Sequence, residues 1–277
     1  MLKIDAHNHF WKFDPLRDSW ITPAMEVIRR DFLPGEFHET LLHHGFDGCV
    51  VVQSDQTEQE NEFQLNHAAQ NSFIKAVVGW VDLRDADVES RLEYYTSFSL
   101  LKGFRHILQG ETDRSLMLRP SFKNGIRLLR KYGFTYDILI FPDQLKFAKE
   151  LVQEFPYQKF VIDHIAKPSI KTKEDGSWHD DIRAIAKHEN VFCKISGMVT
   201  EADWHHWKKE DFHPYIDTVV EAFGPKRIMY GSDWPVCQVA ATYTDMLTIV
   251  QEYFSEFSMD EQAAFFGGNA CTFYNIQ

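Results

Sequence analysis

Two histidines separated by one residue close the first apolar run of the chain, in "IDAHNHFW", and Asp5 stands two positions before His7. Alternate side chains of a strand share a face, so Asp5, His7 and His9 are expected to point the same way. Imidazoles paired at that spacing serve either as metal ligands or as hydrogen-bonding and proton-transfer groups. Both uses need partners from elsewhere in the chain. The polar residues that close other apolar runs are Gln53, Asp82, Arg105 with His106, Asp163 with His164, and Asp233 in "YGSDWP". Two or three imidazoles and a carboxylate can hold zinc in a near-tetrahedral set with one position left for water. Without a metal, the same carboxylate can act as a general base on water. Each residue alone has a plainer reading. A histidine at a strand end is more often structural, Asp82 could fix a turn, and Asp233 could cap the next turn or helix.

Residues this far apart meet only if the fold gathers them. Apolar runs alternate with amphipathic segments along the whole chain. "LKIDAH", "FDGCVVVQS", "IKAVVGWVDL", "LLKGFRHIL", "FTYDILI", "KFVIDHIA", "VFCKISG" and "RIMYGSD" read as eight strands. Helices are expected in between, among them "NEFQLNHAAQN", "PDQLKFAKELVQEFP" and "FKNGIRLLRKYG", the last closing on glycine. The strands are continuous apolar runs, as expected when both faces are covered. No Gly-rich phosphate loop follows the first strand, which argues against a dinucleotide-binding sheet. The pattern predicts an α/β protein, a (β/α)8 TIM barrel over residues 1–277 as one domain. In that fold the strand C-termini carry the chemistry. All of the polar strand ends would then surround one axis, with Arg105 rather than His106 directed inward. The stretch 10–35 is a long first βα loop, and its Trp11 is expected to wall the pocket mouth. In the polar excursion "IKTKEDGSWHDD", Trp178 and Asp180 are candidate contacts if that loop closes over the pocket.

Composition narrows the function classes. The net charge of −12 opposes nucleic acid and anionic membranes as partners. No apolar run reaches the ~20 residues of a membrane span. The N-terminus lacks a basic-then-apolar leader, and the four cysteines form no CxxC pair. A cytoplasmic protein with reduced thiols is expected.

Taken together, "IDAHNHFW", "VVVQSDQTEQEN", "VVGWVDL", "KGFRHILQ", "IDHIAKP", "CKISGM", "YGSDWPV" and "GGNACTFYNI" resemble, in order and over nearly the whole chain, the amidohydrolase superfamily. More narrowly they resemble its family 2, the branch of sugar lactonases and pyrone-dicarboxylate lactonases. The resemblance implies a (β/α)8 barrel that is sometimes distorted. It implies that His7 and His9 are the first-strand histidines, His164 the sixth-strand histidine and Asp233 the aspartate that activates water. It places Arg105 near the substrate carbonyl or an acidic group, and gives Asn269 a structural role. One departure stands out. Many metal-dependent relatives supply a fifth-strand histidine, whereas this strand offers Tyr136 and Asp137.

The resemblance therefore implies a lactonase with no required cofactor as first choice. As second choice it implies a single divalent metal, zinc or manganese, on His7, His9, Asp233 and His164. Trp11, Gln53, Tyr136 and Arg105 are the candidate substrate contacts, since uncharged polar groups beside aromatic faces suit a sugar ring. The expected reaction opens an aldonolactone, a deoxy-sugar lactone such as L-fucono- or L-rhamnonolactone, to its aldonic acid. Asp5 is expected to support His7 from behind. The expected partner is a small-molecule lactone, and a homo-oligomer stays open. A metal-dependent decarboxylase or other metal-dependent hydrolase is the alternative, and a non-catalytic binding barrel the third.

Overall fold

In the computed structural model, which describes residues 1–277, eight strands pair in parallel in chain order. They are β1 (Ile4–Asn8), β2 (Gly48–Val52), β3 (Ile74–Gly79), β4 (Leu101–Ile107), β5 (Thr135–Leu139), β6 (Phe160–Ile162), β7 (Val191–Ile195) and β8 (Ile228–Tyr230). Helices lie between them, so the expected (β/α)8 barrel is the fold. β1 and β8 are joined just beyond the end of β8. Asn8 and Trp234 form a parallel bridge, His9 N–H donates to the Trp234 carbonyl at 2.8 Å, and Asp233 N–H donates to the His7 carbonyl at 2.8 Å. The seam of the barrel thus runs through three of the residues singled out in the sequence.

Two apolar layers arise from the alternation of the strands. Residues such as Cys49, Val51, Tyr136, Ile138 and Ile195 face the helices and belong to a cluster of 70 buried side chains. Ile4, Ala6, Val50, Val52, Ala76, Val78, Val161 and Met229 fill the lower barrel interior. Ala270, Phe273 and Tyr274 of the C-terminal helix Asn269–Tyr274 join that inner cluster and plug the bottom. Asn269 donates from Nδ2 to the carbonyls of Pro225 and Ile228, the structural role expected of it. The helices form for ordinary reasons. Pro120–Tyr132 starts on proline, buries Phe122, Ile126 and Leu129 at helical spacing, and ends on Gly133 at φ +79°, a left-handed cap.

The long first loop is an ordered extension and also reaches the mouth. Trp11 and Phe32 exchange main-chain hydrogen bonds at 2.9 Å, and Pro23–Ile28 forms a 3₁₀ segment. Tyr136 was expected at the substrate; its ring instead packs on the helix side against Phe122 and Phe160, because β5 turns Asp137 inward. Trp178 is fully buried, with Nε1 bound to the Ile165 carbonyl, and Asp180 is exposed on the helix Trp178–Ile185. Neither borders the cavity at the strand C-termini.

Candidate active site

At the C-terminal end of the barrel, β1 does not deliver three residues on one face. Ile4 and Ala6 pack inside with Val50 and Val52, so Asp5 lies opposite. Its carboxylate accepts the main-chain N–H groups of His7 (3.1 Å) and Ser232 (3.0 Å). The register of β1 against β2 shifts between Asp5 and Asn8. An irregularity of that kind re-aims a side chain, and here the His7 ring enters the barrel interior. Asp5 therefore supports the His7 backbone and the β1–β8 seam, not the imidazole. Burial pushes its carboxyl up to about 6, against the main-chain N–H groups of Ser232 and His7, which favour the charged form.

Inside the barrel the His7 ring meets a charged network. Its Nδ1 is 3.2 Å from Lys194 Nζ and 3.3 Å from Asp163 Oδ1. Lys194, on β7, also contacts Asp137 Oδ2 at 2.6 Å and Asp163 Oδ1 at 3.0 Å. Arg105 donates from a terminal nitrogen to Asp163 Oδ2 at 3.1 Å, and that nitrogen is 3.3 Å from His7 Nε2. The Tyr274 hydroxyl donates to Asp137 at 2.7 Å from below. Burial opposes the charge on Asp163, but Lys194, His7 and Arg105 outweigh it and hold its carboxyl well below the usual range. Burial drives His7 and His164 well below the usual imidazole value, against the pull of Asp163 and Asp233, so both rings are neutral at pH 7.

Four atoms converge above this network. His7 Nε2 lies 3.2 Å from His9 Nε2, and Asp233 Oδ1 is 3.3 Å from His9 Nε2, 3.8 Å from His7 Nε2 and 3.9 Å from His164 Nε2. The far nitrogens are occupied elsewhere. His9 Nδ1 is 2.7 Å from the Val52 carbonyl, which can only accept, so Nδ1 carries a proton and Nε2 is the nitrogen turned to the site. His164 Nδ1 is bound to Ser196 Oγ at 2.9 Å. Burial opposes ionisation of Asp233, but His164, His9 and Lys167 outweigh it and keep its carboxyl below the usual value.

His164 is held by an unusual turn. His164, Ile165, Ala166 and Lys167 all have φ between +48° and +59°. A run of left-handed residues is costly for L-amino acids, and such strain gathers at functional sites. The turn lies against Gly197, where a Cβ would stand 2.4 Å from His164 Nδ1, at φ +59°. Gly231 makes the matching allowance just beyond β8, where a Cβ would stand 2.6 Å from that of His7. Asp233 itself has φ +58° and precedes a cis Trp234–Pro235 bond.

The set fits a divalent cation. The Nε2 atoms of His7 and His9 face each other beside the Asp233 carboxylate, a cluster of the nitrogen and oxygen atoms that zinc takes. A tetrahedral zinc with bonds of about 2.0–2.1 Å keeps its ligand atoms about 3.3 Å apart, close to the His7–His9 and His9–Asp233 separations. The looser contacts of His164 suit a fourth ligand or a group beside bound water.

A cavity of about 290 Å³ is bordered by His9, Arg105, His164 and Asp233 together with Lys167 and Trp20. The size is at the small end for ligand pockets of ~300–1,000 Å³ and suits a single ring. A larger groove of about 600 Å³ lies at the opposite end, beside Lys102, Lys159 and Thr272, away from every group with this chemistry. Of the expected substrate contacts, Arg105 borders the cavity. Gln53 is fully buried and donates to the Arg105 carbonyl at 3.1 Å, while Arg105 in turn binds the Gln53 carbonyl. Trp11 is buried against Phe32 and Trp20, with Nε1 on the Arg30 carbonyl, and Trp20 takes the wall position instead. Asp82 fixes a turn by accepting from the Arg84 main chain. Lys194, Ser196 and Asp137 were not among the expected site residues. The signal for two of them was a charge inside an apolar strand, "VFCKISG" and "FTYDILI".

Comparison with known proteins agrees with this geometry. The family model described as Amidohydrolase (Amidohydro_2) matches residues 4–276. L-fucono-1,5-lactonase of Burkholderia multivorans is 34% identical over 286 residues, covering 99% of this chain and 96% of that protein. L-fucono-1,5-lactonase of Burkholderia ambifaria is 34% identical over 278 residues, with the same coverage. A crystal structure of an amidohydrolase from Burkholderia multivorans with bound zinc superimposes with a TM-score of 0.97 at 34% identity, covering all of both chains. No helix of the present chain is long and apolar enough to cross a membrane.

Proposed function

The chain belongs to the amidohydrolase family, and from that premise we propose that it hydrolyses a sugar-derived lactone, L-fucono-1,5-lactone or a close deoxy-sugar relative, to the open-chain aldonic acid. The observation that carries this reading is the convergence of Asp233, His9 and His164, backed by His7, at a cavity the size of one sugar ring, in a chain alike over its full length to two L-fucono-1,5-lactonases. Asp233 is the base. It is ionised, buried and faces neutral imidazoles, and it takes a proton from water as the water oxygen adds to the lactone carbonyl carbon. Arg105 stabilises the oxyanion that develops, its charge fixed in direction by Asp163 and the Gln53 carbonyl. The ring C–O bond then breaks, and the departing alkoxide recovers the proton from Asp233. The product carboxylate leaves past Lys167, whose ammonium is held 2.8 Å from Glu201 at the cavity edge.

His7, His9 and Asp233, with His164, would hold one divalent ion, zinc before manganese. When bound, such an ion polarises a carbonyl and acidifies water. A lactone is an activated ester, and Asp233 and Arg105 supply base and charge by themselves, so metal-free protein is expected to retain turnover. The test is proton release from a panel of aldonolactones in weak buffer, with and without chelator. Acid release from a deoxy-sugar lactone supports the proposal, and inactivity across the panel sinks it. Complete loss with chelator, restored by zinc, would make the metal obligatory.

A further inference from the structure

We propose that Ile107 and Leu139 form the seat for the methyl carbon of a 6-deoxy-sugar lactone and set the preference for such substrates over their 6-hydroxy counterparts. The inference rests on the lactonase proposal and adds the part of the cavity that reads the sugar's far end.

β4 and β5 pair Arg105 with Asp137 and, two residues on, Ile107 with Leu139. Residues two apart share a face of a strand. The inward surface of this strand pair therefore changes from a charged layer to an apolar one in a single step toward the mouth. Both apolar side chains border the same cavity as Asp233 and His164. Leu139 is 4% exposed, yet it belongs to neither apolar cluster of the barrel, unlike its neighbours Ile138 and Ile140. Ile107 is likewise absent from both. Their apolar surface borders the pocket, with Leu139 buried and Ile107 half-buried at its side. The cavity's polar groups, Arg105, Lys167, Ser54 and Gln109 among them, provide for the carbonyl and ring hydroxyls. An apolar patch in such a site suits an apolar part of the ligand, and in a deoxy-sugar lactone the methyl is the most apolar part outside the ring.

A methyl group on this patch removes apolar surface from water. A hydroxymethyl in the same place buries a hydroxyl beside two side chains that cannot hydrogen-bond to it. Differences of one small group in an apolar pocket change kcat/KM by roughly 10- to 200-fold, so a preference of about 10- to 100-fold is expected.

The experiment compares kcat/KM for L-fucono-1,5-lactone and L-galactono-1,5-lactone, which differ only in that hydroxyl, in the unaltered protein and in Leu139→Ser, Leu139→Met and Ile107→Thr. A ratio of tenfold or more that collapses in Leu139→Ser or Ile107→Thr and persists in Leu139→Met supports the inference. Efficient hydrolysis of both lactones by the unaltered protein at similar rates overturns it while leaving the lactonase proposal standing. So does a ratio unmoved by the polar substitutions. Hydrolysis of neither lactone, nor of any other in the panel, overturns the lactonase proposal itself. Two independent polar variants keep the comparison decisive if one fails to fold, and a ratio near one in the unaltered protein overturns the inference without any variant.

Discussion

At the scale of single residues, the site depends on where atoms are left out as much as on the groups present. Gly197 allows His164 its position. Gly197→Ala would put a methyl group 2.4 Å from His164 Nδ1 on a backbone at φ +59°. Overpacking of this kind costs about 1–3 kcal/mol. We expect loss of that order in urea unfolding and at least a tenfold fall in kcat, with Gly197→Ser no better. Asp5 gives a pH test. Its folded carboxyl is raised to about 6 from an ordinary 3.8, so the folded state holds this proton more tightly than the unfolded one. The stability it contributes is present at low pH and is lost as pH rises from about 4 to 6. At ~1.4 kcal/mol per unit, Asp5→Asn should gain about 3 kcal/mol relative to the unaltered protein between pH 4 and pH 7, and no more above that. A difference that shrinks with rising pH would contradict the assignment.

At the scale of elements, the strands were legible because continuous apolar runs bounded by turns have few other readings, and the polar strand ends came with them. His7, His9, Arg105, His164 and Asp233 do converge. What the sequence hid was direction. A one-residue irregularity in β1 separates Asp5 from His7, and the phase of β5 sends Tyr136 outward and Asp137 inward; neither is encoded in residue type. Trp11 and Trp20 could each have walled the pocket, and only the path of the loop between them decides it. Lys194 was readable in principle, since a lysine inside a buried strand must be paired. Removing it in Lys194→Met leaves Asp137 without its cation, and breaking a buried pair costs about 3–5 kcal/mol. Adding Asp137→Asn to that variant should restore part of the loss, which a double-mutant cycle in denaturant will measure. An additive cycle would mean that the pair is not coupled.

At the scale of the whole molecule, the barrel divides its labour between two ends, as this fold commonly does. The C-terminal helix fills the bottom with Phe273 and Tyr274, and the strained turns and charges lie at the top. Phe273→Ala should therefore lower stability by about 3–5 kcal/mol while the folded fraction keeps its kcat. A variant equally stable but slow would put catalysis where we place only support. Between the ends runs the polar column of Tyr274, Asp137, Lys194 and Asp163, which ties the plug to His7 and the site. The net charge of −12 leaves Arg105 and Lys167 as local exceptions at the cavity, suited to a neutral lactone that becomes an anion. The most direct measurement is proton release from L-fucono-1,5-lactone by the unaltered protein and Asp233→Asn side by side. We expect kcat/KM in the common enzyme range of about 10⁴ M⁻¹s⁻¹ or more for the first, and a fall of about 10²- to 10⁴-fold for the folded variant. No release above the spontaneous rate by the unaltered protein, or equal rates for the two, would contradict Asp233-dependent lactone hydrolysis.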